Sequence, residues 1–149
     1  MIALACDHAG FTLMQDVKLH LDSIGKPYKD FGTYSKETCN YPQYAVPAAR
    51  AVSGGTCEMG IFICGTGIGM SIAANKIAGI RAALCRDLFT AEMTRLHNNA
   101  NILVLGARVV EKELALEIID MFFKTGFEGG RHAERVQMLT DLESRWGMV

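Results

Sequence analysis

Cys64 stands directly before Gly65-Thr66-Gly67-Ile68-Gly69, at the end of the apolar run Gly60–Cys64. A strand that ends in a glycine-rich turn and opens a helix gathers backbone N–H groups into an anion cradle, because glycine permits positive φ and close approach. A cysteine at that spot lies in a positive local potential that favours a thiolate, able to act as nucleophile or as base. Thr66 and the loop amides are placed to stabilise an oxyanion forming beside it. Two other readings of the loop exist. One is a plain turn with an inert strand-end cysteine. The other is a dinucleotide site, with Asp87 as its downstream acid. The GxGxG spacing, after the third strand rather than the first, argues against the dinucleotide, and no P-loop pattern occurs.

Three further segments carry chemistry. The first strand delivers Asp7-His8 and then Gly10. His97-Asn98-Asn99-Ala100-Asn101 is polar enough to meet substrate hydroxyls, although a lone histidine at a helix end is also a common cap. Arg131 and Arg135 stand four apart at the start of a helix, so both guanidiniums share one face and fit either a phosphate or a solvated charged surface. Arg108, after the fifth strand, is a third candidate cation and equally a candidate ion-pair partner.

The net charge of −1 means that an anionic ligand is held by a few placed cations, and it gives no footing for nucleic acid. Five cysteines without a CxxC pair and four histidines without HxxxH or HExxH spacing build neither a disulfide framework nor a zinc site. Cys6 and Cys85 end apolar runs and read as buried small hydrophobes, whereas Cys39 and Cys57 fall in loop-like segments. No apolar run approaches the roughly 18 residues of a membrane helix, and the start Met1-Ile2-Ala3-Leu4 lacks the charge of a signal peptide. The expected location is the cytoplasm.

These residues need a scaffold, and the hydrophobic pattern supplies one. Apolar runs at Ile2–Cys6, Tyr28–Phe31, Gly60–Cys64, Ile80–Cys85 and Ile102–Leu105 predict strands. Between them, helical spacing predicts helices from Leu13 to Ile24, Tyr44 to Val52, Met70 to Ile77 and Leu88 to Leu96. A fifth helix carries Leu114, Ile118, Ile119, Phe122 and Phe123, and a last one, about residues 131–145, carries Val136, Leu139 and Leu142. Such alternation predicts a single α/β domain over residues 1–149, Rossmann-like, with helices on both faces of a five-stranded parallel sheet. An order 2-1-3-4-5 would bring Asp7-His8 and the Cys64 loop together at the switch point, outside the carboxyl ends of the strands.

Taken together, the residues closely resemble the type B ribose-5-phosphate isomerase family, which also contains allose-6-phosphate and galactose-6-phosphate isomerases. The resemblance rests on Cys6-Asp7-His8-Ala9-Gly10-Phe11, Asp30-Phe31-Gly32-Thr33, Tyr41-Pro42 and Ile63–Gly69. It continues through Ala73-Ala74-Asn75-Lys76, His97–Asn101, Gly106-Ala107-Arg108-Val109-Val110, Gly129-Gly130-Arg131-His132 and Arg135. It implies an aldose–ketose isomerase working through a cis-enediolate, with Cys64 moving the proton between C2 and C1. Thr66 and the loop amides would stabilise the enediolate, and His97 would open the sugar ring. Asp7 and Asn98 would hold hydroxyls, while His8, Arg108, Arg131 and Arg135 would take the phosphate. Tyr41, Gly65, Gly67, Ile68 and Gly69 complete the implied substrate contacts. A homodimer or homotetramer with shared sites is implied, the last helix at the dimer interface, and no metal or organic cofactor.

The sequence departs from the family at Asn40, where many members have Asp before Tyr-Pro, so a ring-opening carboxylate is not implied there. Met70 stands where one branch has a glutamate base, which places this chain in the cysteine branch. The His-Asn pair and the Arg-His segment favour the ribose 5-phosphate type over galactose-6-phosphate isomerase subunits. Isomerisation of a six-carbon aldose 6-phosphate, chiefly allose, is the alternative activity. A nucleotide-binding or regulatory module is the alternative of another class.

Overall fold

Apolar runs become strands and helical patterns become helices in the computed structural model, which describes residues 1–145. The last four residues of the domain expected over 1–149 lie outside the described residues. The order is β1 (Ile2–Cys6), α1 (Phe11–Ser23), β2 (Tyr28–Asp30), α2 (Pro42–Ser53), β3 (Met59–Cys64) and α3 (Ile68–Ala74). There follow β4 (Ala82–Leu84), α4 (Leu88–Asn98), β5 (Ile102–Gly106), α5 (Lys112–Lys124) and α6 (Arg131–Arg145). All five strands are parallel, as expected.

The strand order is 2-1-3-5-4, which corrects the expected 2-1-3-4-5. The reason is burial. A central strand of a parallel sheet is covered on both faces and must be apolar at every position. β5, Ile-Leu-Val-Leu-Gly, is buried throughout, so it takes the place beside β3. β4 has only three residues, leaves Leu84 42 % exposed and goes to the edge.

Right-handed crossovers then assign every helix to a face. Connections that move one way across this order put α1 and α4 on one side, and those that move the other way put α2 and α3 on the opposite side. The two hydrophobic clusters follow that division. On one face Ile2, Leu4, Ile61, Ile63, Leu103 and Leu105 pack against α1, α4 and α5. On the other, Ala3, Ala5, Phe62 and Val104 pack against the alanines of α2 and against Met70 and Ala74 of α3. The alternation along each strand is the period-2 pleat read through the sheet.

Local capping sets the element ends that matter for the site. Tyr41 is the N-cap residue of α2, with Pro42 in the first turn. Asp87 caps α4 by accepting the Thr90 N–H at 2.7 Å and the Thr90 hydroxyl at 2.8 Å. Asn99 ends α4 in the left-handed conformation (φ 46°). Buried Arg95 ties that end down by donating to the carbonyls of Ala100 and Thr125. Helix α6 rests on α4, and the Glu143 carboxylate accepts the Gly79 N–H at 3.0 Å.

Gly10 marks a place where α1 and β3 almost touch. A Cβ there would lie 2.4 Å from the Ile63 carbonyl oxygen, and backbone cannot step aside cheaply. Gly10→Ala is therefore expected to lose about 1–3 kcal/mol of stability, the usual range for overpacking. Gly126→Ala, with nothing within 4 Å, should stay near neutral. Paired thermal melts check the contrast; equal melting temperatures for both variants would contradict it.

Candidate active site

The end of β3 is flanked by β1 and β5, whose following helices leave toward the face opposite α3. Diverging connections open a crevice there, outside the carboxyl ends of the strands. It measures about 230 Å³ and is lined by Asp7, His8, Tyr41, Cys64, Thr66 and Arg108, with Gly65 and Gly69 in its walls. A larger cavity, about 430 Å³, lies elsewhere, beneath α6 against Arg81, Thr94 and Asn98. Chemistry, not size, identifies the site.

Cys64 is 4 % exposed at the crevice floor, and its Sγ accepts the Gly67 N–H at 3.1 Å. Gly67 makes that bond from a left-handed backbone (φ 79°), where a Cβ would also strike Leu84 at 2.4 Å. Cys6, Cys57 and Cys85 are buried as well. Burial, reinforced by Asp30, pushes Cys6 up to about 12, and burial pushes Cys85 up to about 11. These two and Cys57, likewise raised by burial, are inert packing groups.

β5 completes the loop. The amides of Ala107 and Arg108 donate to the carbonyls of Cys64 and Gly65, each at 2.9 Å. Gly106 lets the chains pass, since a Cβ there would lie 2.6 Å from the Thr66 carbonyl. The same turn lays the Arg108 guanidinium over Gly65. Had β4 been the neighbour of β3, Arg108 would stand one strand further away. The corrected order therefore assembles the site.

From β1, Asp7 Oδ1 accepts the N–H groups of Ala9 and Gly10 at 2.9 and 3.1 Å. His8 Nδ1 accepts the Cys39 N–H at 3.3 Å, which leaves Nε2 as the N–H donor of the neutral ring. The Tyr41 ring covers Gly69, where a Cβ would lie 2.8 Å from it.

Eight of the expected residues thus meet in one crevice. Gly67 lies beneath it, and Ile68, 53 % exposed, turns instead toward Leu84 and Val109 in a separate cavity. His97, Asn98, Arg131 and Arg135 do not join them. They gather where β5 begins, whereas Cys64 pairs with Gly106 where β5 ends. Four residue steps separate the two ends, roughly 13 Å at strand spacing. Asp87 is occupied as the cap of α4, which withdraws it from any nucleotide role.

The second group has its own order. The His97 and His132 rings stack at 4.2 Å with 9° between planes. Glu128 Oε2 lies 3.8 Å from His97 Nε2 and 3.6 Å from His132 Nε2. Burial, then the charges of His97 and Arg131, hold His132 below the ordinary imidazole range. Arg81 Nε donates to the carbonyls of Asn98 and Asn99 at 3.1 and 3.0 Å and fixes the segment after His97. Sequence reading passed over Glu128 and His132 as a pair, although their i,i+4 spacing was a visible signal. It also missed Cys39 on His8, for which no local signal exists.

The chain is similar to known proteins over nearly its whole length. A family model described as Ribose/Galactose Isomerase matches residues 2–139. Ribose-5-phosphate isomerase B of Escherichia coli (strain K12) is 49 % identical over 97 % of this chain and 97 % of that protein. A structure of Clostridium thermocellum ribose-5-phosphate isomerase B superposes with a TM-score of 0.96 at 47 % identity, covering 97 % of this chain and 98 % of that one. Mycoplasma genitalium ribose-5-phosphate isomerase B, solved with bound ribulose 5-phosphate, gives a TM-score of 0.92 at 39 % identity, covering 96 % and 95 %. From its sequence, its fold and the crevice at the end of β3, the chain belongs to the ribose/galactose isomerase family.

Proposed function

We propose that the protein interconverts ribose 5-phosphate and ribulose 5-phosphate, with Cys64 as the proton-transfer base. The observation that carries this reading is Cys64 Sγ at the floor of a crevice walled by Asp7, His8 and Arg108. Cys64 removes the C2 proton of the open-chain aldose, and the electrons of that bond form the enediolate. A proton passes from O2 to O1 across the enediolate, and return of the carbon-bound proton from Cys64 to C1 gives the ketose; C1 and C2 are adjacent, so one base serves both. Thr66 and the loop amides face the enediolate oxygens, and preorganised donors of this kind supply large rate factors in a water-poor site. Asp7 Oδ2, left free by the turn that Oδ1 holds, takes a sugar hydroxyl. His8 Nε2 and the Arg108 guanidinium grip the phosphate, whose remote binding energy helps at the reacting carbons.

His97, Asn98, Arg131 and Arg135 complete the site from a second copy of the chain. Their position at the opposite end of the sheet supports this, because they cannot serve the Cys64 of their own subunit. Each copy then lends one end to its partner. The exposed Met138, Leu139 and Leu142 of α6 and the exposed Ile68, Leu84, Phe89 and Val109 beside the crevice give both ends apolar surface to bury. His97, at the end of α4, opens the ring by acid–base exchange. The reading needs no resident cofactor. Among the described residues no helix is long and apolar enough to cross a membrane, and a cytoplasmic role in pentose phosphate metabolism is part of the proposal.

Steady-state rates with ribose 5-phosphate should exceed those with allose 6-phosphate, and Cys64→Ala should bind the pentose while kcat falls at least about 100-fold, as for a lost general base. A variant retaining a tenth of wild-type kcat would assign the base to another residue.

His97→Asn should slow turnover of cyclic ribose 5-phosphate yet spare solvent exchange of the C1 proton of ribulose 5-phosphate. Exchange as impaired as turnover would remove the ring-opening role.

Mixing inactive Cys64→Ala with inactive Arg135→Ala should restore activity, because mixed dimers hold one site with both residues intact. Subunit exchange confirmed by mass without returning activity would put Arg135 in its own chain's site.

A further inference from the structure

The ring-opening end of the chain holds a donor set that isomerisation does not require. His97 closes α4, His132 opens α6, and Glu128 lies in the segment between α5 and α6. Their ligand atoms all lie within 4.8 Å of one another, the one such group among the described residues. Both Nε2 atoms converge on the same carboxylate oxygen, at 3.8 and 3.6 Å. These separations are too long for hydrogen bonds. They are close to the distance between neighbouring ligands of a tetrahedral ion, about 3.3 Å for metal–ligand bonds of about 2.0–2.1 Å. Contraction by a few tenths of an ångström would bring the carboxylate to ligand spacing from each ring, and a turn of His97 would close the set.

The backbone already holds the three donors together. The Glu128 N–H donates to the Leu96 carbonyl at 3.1 Å, pinning the loop against the last turn of α4. The His132 N–H donates to Gly129, and Gly129 and Gly130 take φ of 73° and 54° to turn the chain straight into α6. Buried His132 stacks on His97 with nearly parallel planes, so the half-exposed His97 ring must rotate out of the stack for both lone pairs to meet on one ion. One contact opposes an ion: Arg131 Nε lies 3.5 Å from His132 Nε2. That side chain is exposed on the first turn of α6 and can swing into solvent.

We propose that His97, Glu128 and His132 form an inhibitory site for a borderline-soft divalent transition ion, zinc first. Two imidazoles and one carboxylate are a known zinc donor set, and three protein ligands leave a fourth position for water or substrate. The ion is an inhibitor, not a cofactor. It occupies the Nε2 lone pair of His97, so that ring can no longer exchange protons with the sugar. Zinc binding stands on the triad alone, whereas inhibition rests on the ring-opening role of His97 proposed above.

Zinc chloride titrated calorimetrically into tag-free wild-type protein and Glu128→Gln, alongside the isomerase assay, tests both parts. Glu128 is 59 % exposed and has no part in the proposed catalysis, so the variant should fold and turn over normally in chelator. Wild type should bind one zinc per chain, and Glu128→Gln should bind it at least about tenfold more weakly, the scale seen when metal-site groups are removed. Zinc should slow wild-type turnover of ribose 5-phosphate, excess chelator should restore it, and Glu128→Gln should resist the same zinc concentration. Equal zinc affinity in the two proteins would overturn the site. So would binding that disappears in Cys64→Ala but persists in Glu128→Gln, which would make the thiol the ligand. Glu128-dependent binding with undiminished turnover would overturn the inhibitory role, and because binding is read by heat alone, that result is distinct from failure of the isomerase assignment.

Discussion

The backbone of β5 runs so close beneath the glycine loop that no side chain fits between them. Gly106 and Thr66 touch there, and the amides of Ala107 and Arg108 hold the carbonyls of Cys64 and Gly65. This one contact fixes the loop height above the sheet and the direction in which the Cys64 thiol faces. It also fixes where Arg108 lies. The contact exists only because β5, rather than β4, is the neighbour of β3, and β5 takes that place because it can be buried on both faces. Core packing, strand order and the placement of the Cys64 thiol are thus one chain of causes.

The same topology explains why the polar groups fall into two clusters. Every helix that follows a strand returns to the opposite end of the sheet, so residues at the end of α4 must lie far from the end of β3. Asp7, His8 and Arg108 sit just after strands and stay near Cys64. His97 and Asn98 sit just before one, and the chain carries them away. Arg81, Arg95 and Glu128 hold that second end in shape through backbone carbonyls and amides, which makes it a prepared surface rather than a loose tail.

Much of this was legible in the residues. The continuous apolar runs of β1, β3 and β5, the helix periods and the glycine loop after Cys64 identified the elements, the fold class and the crevice residues. Strand order was misread because chain order was taken as spatial order. The burial argument that corrects it was available, since Ile-Leu-Val-Leu is a central strand and Ala-Ala-Leu is an edge. The helices at Pro42 and Ile68 begin earlier than the hydrophobic pattern shows, because Pro42-Gln43 in the first turn of α2 and Gly67 and Gly69 around the start of α3 carry no apolar period. Ile68 was grouped with its loop and faces away from the crevice, since position in a motif does not determine side-chain direction. The triad of His97, Glu128 and His132 escaped a search for ligand spacing, because its donors come from two helices and a loop and meet only in space.

Helix α2 carries a consequence that reaches beyond packing. Its buried face is Ala45, Ala48 and Ala49, set against Ala3 and Ala5 of β1, so helix and sheet approach as closely as methyl groups allow. Tyr41 rides on the first turn of that helix and walls the crevice. The alanine layer therefore acts as a gauge. One added methylene in the core would lift the helix, and with it the tyrosine, from its seat on Gly69. The shape of the crevice is therefore adjustable from a layer that does not line it, so drift in the hydrophobic interior can reshape the crevice while every polar group in its walls stays the same.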